Sequence, residues 1–249
     1  MSYRVYPTRG AAARALATEF VRIADKATSS RDRFTAVLSG GNTPRDAYRL
    51  IATDEFSRQI KWSQTYIFWS DERAVPLDHA DNNARMAKET LLNHVPLPLP
   101  QLFRIQSQHP PQQSADDYQA TMQKFFTGRL GMKIPKFDLM VLGIGADGHI
   151  ASLFPGTQAL AEKERWVVAN EVPQLDTWRV TLTYPVINAA TNIIFLVLGE
   201  EKAAIVKRAL TPPADPSEAI PAHLVRAANV HWILDKPAAS LLEGQSQTN

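Results

Sequence analysis

A chain of 249 residues, 45% apolar and 21% charged, has the composition of a globular protein long enough to bury a sizeable core. Its formal net charge of +2 is too small for a broad nucleic-acid surface, so no nucleic-acid partner is expected and any anion site must be local. The absence of cysteine excludes disulfides, thiolate metal sites and cysteine nucleophiles.

The longest apolar run, "IIFLVL", falls far short of the ~20 residues that span a bilayer. The start, "MSYRVYPTRG", lacks a signal-peptide apolar segment. A cytoplasmic protein with no membrane partner is expected.

Short apolar runs alternate with segments of helical period, the pattern of an α/β architecture. A first strand, "YRVYP", precedes "RGAAARALATEFVRIADKA", where Leu16, Phe20, Ile23 and Ala27 recur on one helix face. "FTAVL" reads as a buried strand, followed by "SGGNTP" and a helix in which Ala47, Leu50 and Ile51 share a face. "QTYIFWS" is a third strand, leading into "DERAVPLDHADNN" and a helix near residues 84–93. Tyr118, Met122, Phe125 and Phe126 mark an amphipathic helix, and "FDLMVLG" is the next strand. "RWVVAN", "WRVTLT", "NIIFLVLG" and "VHWIL" read as strands, with the helix of "EEKAAIVKRAL" between the last two. The proline clusters "HVPLPLPQ", "QHPPQQ" and "TPPADPSEAIP" disfavour regular structure and are expected as surface loops. No repeat divides the chain, so one domain over residues 1–249 is expected, with a frayed end at 243–249.

The unusual residues follow strands, and in an open parallel sheet loops after strands lie at the carboxyl edge, where ligands bind. "SGGNTP", "DER", "GIGADGH" and "GEEK" are all expected there. In the first, Gly40 and Gly41 allow close backbone approach, and Asn42 and Thr43 complete the turn. Thr43 is expected to cap a helix with Pro44 at its first position, aiming free N–H groups at a phosphate. A tight turn without ligand is the plain alternative. In the second, Arg73 suits an anionic substrate and Asp71 suits sugar hydroxyls, unless the triplet is simply solvated or a carboxylate pairs with Arg73.

"GIGADGH" begins as G-x-G-x-x-G after a strand, the lettering of a dinucleotide-binding turn. Glu171 even falls near the distance of the expected ribose ligand. That fold needs a helix after the third glycine, however, and Pro155-Gly156 interrupts one after "HIASLF". No nucleotide cofactor is therefore expected. A catalytic turn is the better reading, since histidine accepts a proton near neutral pH and contributes ~10²–10⁴-fold as a well-placed general base. His149 takes that role. Asp147 can steady its imidazole, hold the imidazolium that forms, or bind substrate. His79, His94, His109 and His223 fall in loops and His231 beside a strand, and no pair has zinc-ligand spacing, so no metal is expected. Ser152 lacks a G-x-S-x-G elbow. Arg179 and Lys202 are candidate anion partners or plain surface charges.

Together, "SGGNTPRDAY", "SDERAVPLDHADNNARMAKETLL", "FDLMVLGIGADGHIASLFPG", "WRVTLT" and "LGEEKAAIVKRAL" resemble the glucosamine-6-phosphate isomerase/6-phosphogluconolactonase family, on its lactonase side, across residues 35–210. The related deaminases read D-E-Y and A-F-N-E-P-G where this chain has "DER" and "ASLFPG", and both differences favour the lactonase. Asn42 and Asn82 depart from the serines more often found there. The resemblance implies a three-layer α/β/α fold with a modified Rossmann-like, mostly parallel sheet. It also implies hydrolysis of 6-phospho-D-glucono-1,5-lactone in the oxidative pentose phosphate pathway, without metal or organic cofactor. His149 would be the base, and the phosphate would meet the backbone of Gly40, Gly41, Asn42 and Thr43 together with Arg179 and Lys202. The alternatives are a deaminase or isomerase of the same fold and a non-catalytic sugar-phosphate sensor. A small phosphorylated sugar lactone is the expected partner, and a monomer or weak homo-oligomer the expected state.

Overall fold

The computed structural model describes residues 2–242, so the fraying expected over 243–249 lies outside the described residues. In chain order the elements are β1 (Ser2–Tyr6), α1 (Arg9–Arg31), β2 (Phe34–Leu38), α2 (Arg45–Ile51), α3 (Asp54–Ser57), β3 (Thr65–Trp69), β4 (Asp71–Arg73) and α4 (Asn83–Thr90). There follow β5 (Leu102–Phe103), α5 (Pro111–Gln123), β6 (Leu139–Leu142), β7 (Val167–Val172) and β8 (Thr177–Leu182). The chain closes with α6 (Tyr184–Ala189), β9 (Asn192–Val197), α7 (Ala203–Leu210) and β10 (Asn229–Asp235).

Helix α1 starts where Thr8, in extended conformation, accepts a hydrogen bond from the Ala11 N–H, and it ends at left-handed Asp32, whose N–H bonds the Thr28 carbonyl. Its stripe of Leu16, Phe20, Ile23 and Ala27 is buried. The helix packs on β2, β9 and β10 and against α2. No helix among the described residues is long and apolar enough to cross a membrane.

The main sheet runs β1-β10-β9-β6-β2-β3-β5, and every neighbouring pair is parallel. From β2 the chain builds outward through β3 and β5, then returns to lay β6 on the other side of β2. Strand order therefore reverses between β2 and β6, and the crevice at their carboxyl ends is where such sheets take ligands. Strands β4, β8 and β7 form a separate antiparallel sheet. Ser70 joins the two sheets: its N–H bonds Leu38 O at 3.0 Å, and its carbonyl accepts from the Leu182 N–H at 2.8 Å. Val168, Val180 and Leu182 of the smaller sheet share one apolar cluster with Phe34 and Phe195 of the larger.

Two expectations change here. "DER" is a strand of the second sheet, not a loop, because Ser70 turns the chain directly from β3 into antiparallel pairing with β8. Nor are the proline clusters uniformly loops: Pro111 opens α5 at its first position, where a missing N–H costs nothing. Pro216 and Pro221 similarly open the 3₁₀ turns Pro216–Glu218 and Pro221–Leu224. Elements α3, α6 and β5, of two to six residues, were not expected; they are too short to establish a period.

Two tyrosines fasten the carboxyl ends of neighbouring strands. The Tyr48 hydroxyl of α2 receives the Ser39 N–H at 3.1 Å and donates to the Ser39 carbonyl at 3.0 Å. The Tyr118 hydroxyl of α5 does the same for Trp69, at 2.9 and 3.1 Å. Burial raises both phenols well above their ordinary range, so each stays neutral and able to donate. Tyr48→Phe or Tyr118→Phe strands a buried N–H and carbonyl and is expected to cost about 1–3 kcal/mol in urea unfolding. An unchanged midpoint would show that these clasps do not hold the strand ends.

Candidate active site

The crevice is a cavity of about 500 Å³. Gly40, Gly41, Asn42 and Thr43 line it from beyond β2, Asp71 and Arg73 from β4, His149 from beyond β6, and Lys202 from beyond β9. Four chain segments far apart in sequence thus meet, as expected. Asp147 is absent from the wall and acts on it through His149. Arg179 is also off the wall, facing Arg73 directly across the β4–β8 pairing.

The phosphate-type loop forms differently from the expectation. Pro44, not Thr43, occupies the N-cap of α2, and no side chain caps the helix. Proline's fixed φ suits the helical conformation that residue 44 already adopts, so regular structure begins one residue later. Among the described residues, no backbone acceptor pairs the N–H groups of Gly40, Gly41, Asn42 or Thr43. They remain available to a ligand in the cavity. Gly40 is required by close approach, because a Cβ there would overlap the side-chain amide of Asn83.

Asn83 ties the loop to β4. Its amide nitrogen donates to the Asp71 carbonyl at 2.9 Å, and its N–H donates to Glu72 Oε1 at 2.8 Å. Glu72 also accepts from the N–H groups of Arg73 and Ala84, at 2.9 and 3.0 Å. Its carboxyl is fully buried, and burial pushes it up to about 7 against the downward pull of those three N–H groups. A raised carboxyl favours the protonated folded state. The contribution is therefore full below the ordinary 4.5 and lost as pH rises through about 7. Stability is expected to fall by about 3 kcal/mol across that window, measured by urea unfolding. Glu72→Gln should lack this slope, and an identical pH profile in both proteins would exclude Glu72 as its source.

Asp71 is buried and not solvated, in contrast to the plain reading of the charged triplet. Its Oδ1 accepts from the Ser70 hydroxyl at 2.6 Å and its Oδ2 from the Ser152 hydroxyl at 2.7 Å. Each oxygen keeps a lone pair for a donor in the cavity. Ser152, dismissed as a nucleophile, is thus a support for Asp71. The Arg73 guanidinium donates to the Asp81 carbonyl at 2.8 Å. Arg179 donates to the Thr177 hydroxyl at 3.0 Å and the Trp178 carbonyl at 3.1 Å. Burial first, and then the facing charge of Arg73, hold its guanidinium below its ordinary value.

His149 is set by three contacts. Its Nδ1 lies 2.6 Å from Asp147 Oδ1, which also accepts the His149 N–H at 3.1 Å. The imidazole stacks on Phe154 with centroids 4.0 Å apart and planes at 25°. Beneath it lies Gly145: a Cβ at that position would overlap the imidazole and stand 2.6 Å from Asp147 Oδ1. Nδ1 donating to the carboxylate leaves Nε2 as the acceptor nitrogen. The turn is also tied to the third proline cluster, since the Ala222 N–H bonds the Gly148 carbonyl at 3.3 Å.

No helix follows Gly148; Ile150 and Leu153 instead close a tight turn through an isolated bridge. Glu171 lies on β7 in the smaller sheet, away from the strands flanking β6. The dinucleotide lettering therefore has neither of its structural partners. His223 is buried between the Ile220 N–H and the Arg208 carbonyl, while His231 meets the Ser2 hydroxyl at 2.6 Å. On the far side, Lys202 Nζ donates to the Ile144 carbonyl at 2.9 Å. Asn83 and Ser152 were not legible as site residues because the groups they serve, Gly40 and Asp71, lie in other segments. Gly145 and Glu72 lie inside "GADGH" and "DER", but the sequence shows neither the imidazole folded back over Gly145 nor the α4 N–H groups that hold Glu72.

A family model described as glucosamine-6-phosphate isomerases/6-phosphogluconolactonase matches residues 7–233. The chain is 38% identical over 232 residues to a 6-phosphogluconolactonase of Synechocystis, covering 92% of each protein. It is 35% identical over 238 residues to a probable chloroplastic 6-phosphogluconolactonase of Oryza sativa subsp. indica, covering 92% of this chain and 72% of that one. Its fold is similar to the solved 6-phosphogluconolactonase of Trypanosoma brucei, with a TM-score of 0.84 at 29% identity over 97% of this chain and 98% of the other. The family match takes in the smaller sheet, the main sheet except β1 and the end of β10, and all four segments of the crevice, and the chain belongs to the glucosamine-6-phosphate isomerase/6-phosphogluconolactonase family.

Proposed function

We propose that this protein hydrolyses 6-phospho-D-glucono-1,5-lactone to 6-phosphogluconate, as in the oxidative pentose phosphate pathway. The observation that carries the reading is the His149–Asp147 pair set on one cavity with the unpaired N–H groups of residues 40–43 and Lys202. Relatives named as 6-phosphogluconolactonases over most of their length support the substrate. The unit that performs it is taken as a single domain over residues 1–249.

In this reading Nε2 of His149 takes a proton from water as the oxygen attacks the lactone carbonyl. Asp147 holds the imidazolium that forms. A basic side chain or backbone N–H of the cavity stabilises the oxyanion, usually the largest contribution in acyl transfer. When the tetrahedral intermediate collapses, the C–O bond to the ring oxygen breaks and the imidazolium returns the proton to that oxygen. Gly40, Gly41, Asn42 and Thr43 donate backbone N–H groups to the phosphate, with Lys202 beside them. Two arginines directly opposite across antiparallel strands repel, and an anion near Arg73 and Arg179 relieves that repulsion. Asp71 accepts from sugar hydroxyls.

The deciding experiment is 6-phosphogluconate formation from freshly generated lactone, corrected for spontaneous hydrolysis. Acceleration that depends on the 6-phosphate supports the reading, and no acceleration would sink it.

A further inference from the structure

We infer that Arg9, the first residue of α1, is a phosphate-gripping residue of the crevice, closing over the substrate's phosphate opposite Lys202. The inference rests on the sugar-phosphate reading above and adds to it a residue that no motif in the sequence marked. Arg9 lines the same cavity as residues 40–43 and Lys202. Its guanidinium stands beside Asp46, in the first turn of α2 and three residues beyond Thr43.

Three observations assign this role. First, the position is poor for a cation: α1 is 23 residues long and has no acidic residue in its first turn. A positive side chain there opposes the helix dipole. Thr8 already supplies the cap, so Arg9 contributes nothing to starting the helix. Second, its contact with Asp46 is loose. The pair is 3.8 Å apart with both side chains half exposed, and Asp46 is held more closely by Arg49, at 3.1 Å. Arg9 is thus free to move to a better anion.

Third, the cavity's charge depends on it. The wall carries Arg9, Arg73 and Lys202 against Asp71 and Glu201. Without Arg9 the basic and acidic side chains of the wall balance, and a dianionic phosphate would meet the backbone N–H groups with no net side-chain charge to draw it in. With it the wall is positive on the phosphate side, and a guanidinium can meet two phosphate oxygens at once.

The test is calorimetric binding of inorganic phosphate and of 6-phosphogluconate to the full chain, beside kcat and KM on phosphorylated and unphosphorylated lactone. Arg9→Ala is expected to weaken both ligands about ten-fold and raise KM for the phosphorylated lactone alike, leaving kcat and the melting temperature unchanged. Arg9→Lys should recover part of the affinity, and the loss should shrink as salt is raised. Equal affinity in wild type and Arg9→Ala would overturn the inference. So would an Asp46→Asn variant that reproduces the loss, because Arg9 would then act through α2 and not on the ligand. A wild-type protein that binds phosphate but hydrolyses no lactone would remove the proposed reaction and leave the Arg9 result intact.

Discussion

Replacing His149 by alanine is expected to lower kcat by ~10²–10⁴-fold, the usual contribution of a general base, while 6-phosphogluconate still binds. The split follows from geometry. His149 meets Asp147 and Phe154 on one wall, whereas the free N–H groups of residues 40–43 and the Lys202 ammonium belong to other loops. Removing the imidazole takes away the proton acceptor without touching the phosphate cradle. The melting temperature should move little, because the side chain is partly exposed. Near-normal turnover would take His149 out of the base role. Loss of 6-phosphogluconate binding would show that it holds substrate instead.

The second large effect is expected from a single methyl group at Gly145. Its φ is not in the left-handed region, so alanine is allowed by the backbone. The added Cβ would nevertheless occupy the space of the imidazole and crowd Asp147 Oδ1. His149 must swing away, and misplacement by about 1 Å commonly costs ~10²-fold in rate. Gly145→Ala is expected to approach the His149→Ala defect in kcat and to keep ligand binding. Combining the two should add almost nothing, since both remove one base from one place. A Gly145→Ala enzyme with wild-type kcat would mean that the turn accommodates the methyl without moving His149.

Much of the fold was legible in the sequence because periodicity is a local property. Leu16, Phe20, Ile23 and Ala27 lie on one buried stripe, and "FTAVL" and "IIFLVL" are buried strands because runs of that kind fit only the interior of a covered parallel sheet. Which sheet a strand joins was not legible. "WRVTLT" and "RWVVAN" look like the other strands, yet they pair with each other, and the first of them with β4, in a separate sheet that joins the main one at Ser70. Asp71 likewise carried no sign of its burial, because Ser152, which receives it, is 81 residues away.

By itself the sequence determined which segments form the core strands, which segments carry glycine, histidine and charge, and that proline closes off a nucleotide-binding helix. Each depends on neighbours within a few residues, through φ preferences and side-chain period. Only the tertiary structure decided that Asn83 packs against Gly40, that Ser152 holds Asp71, and that Arg9 reaches the crevice. Those facts depend on close packing between segments distant in sequence, where a single methyl decides what fits.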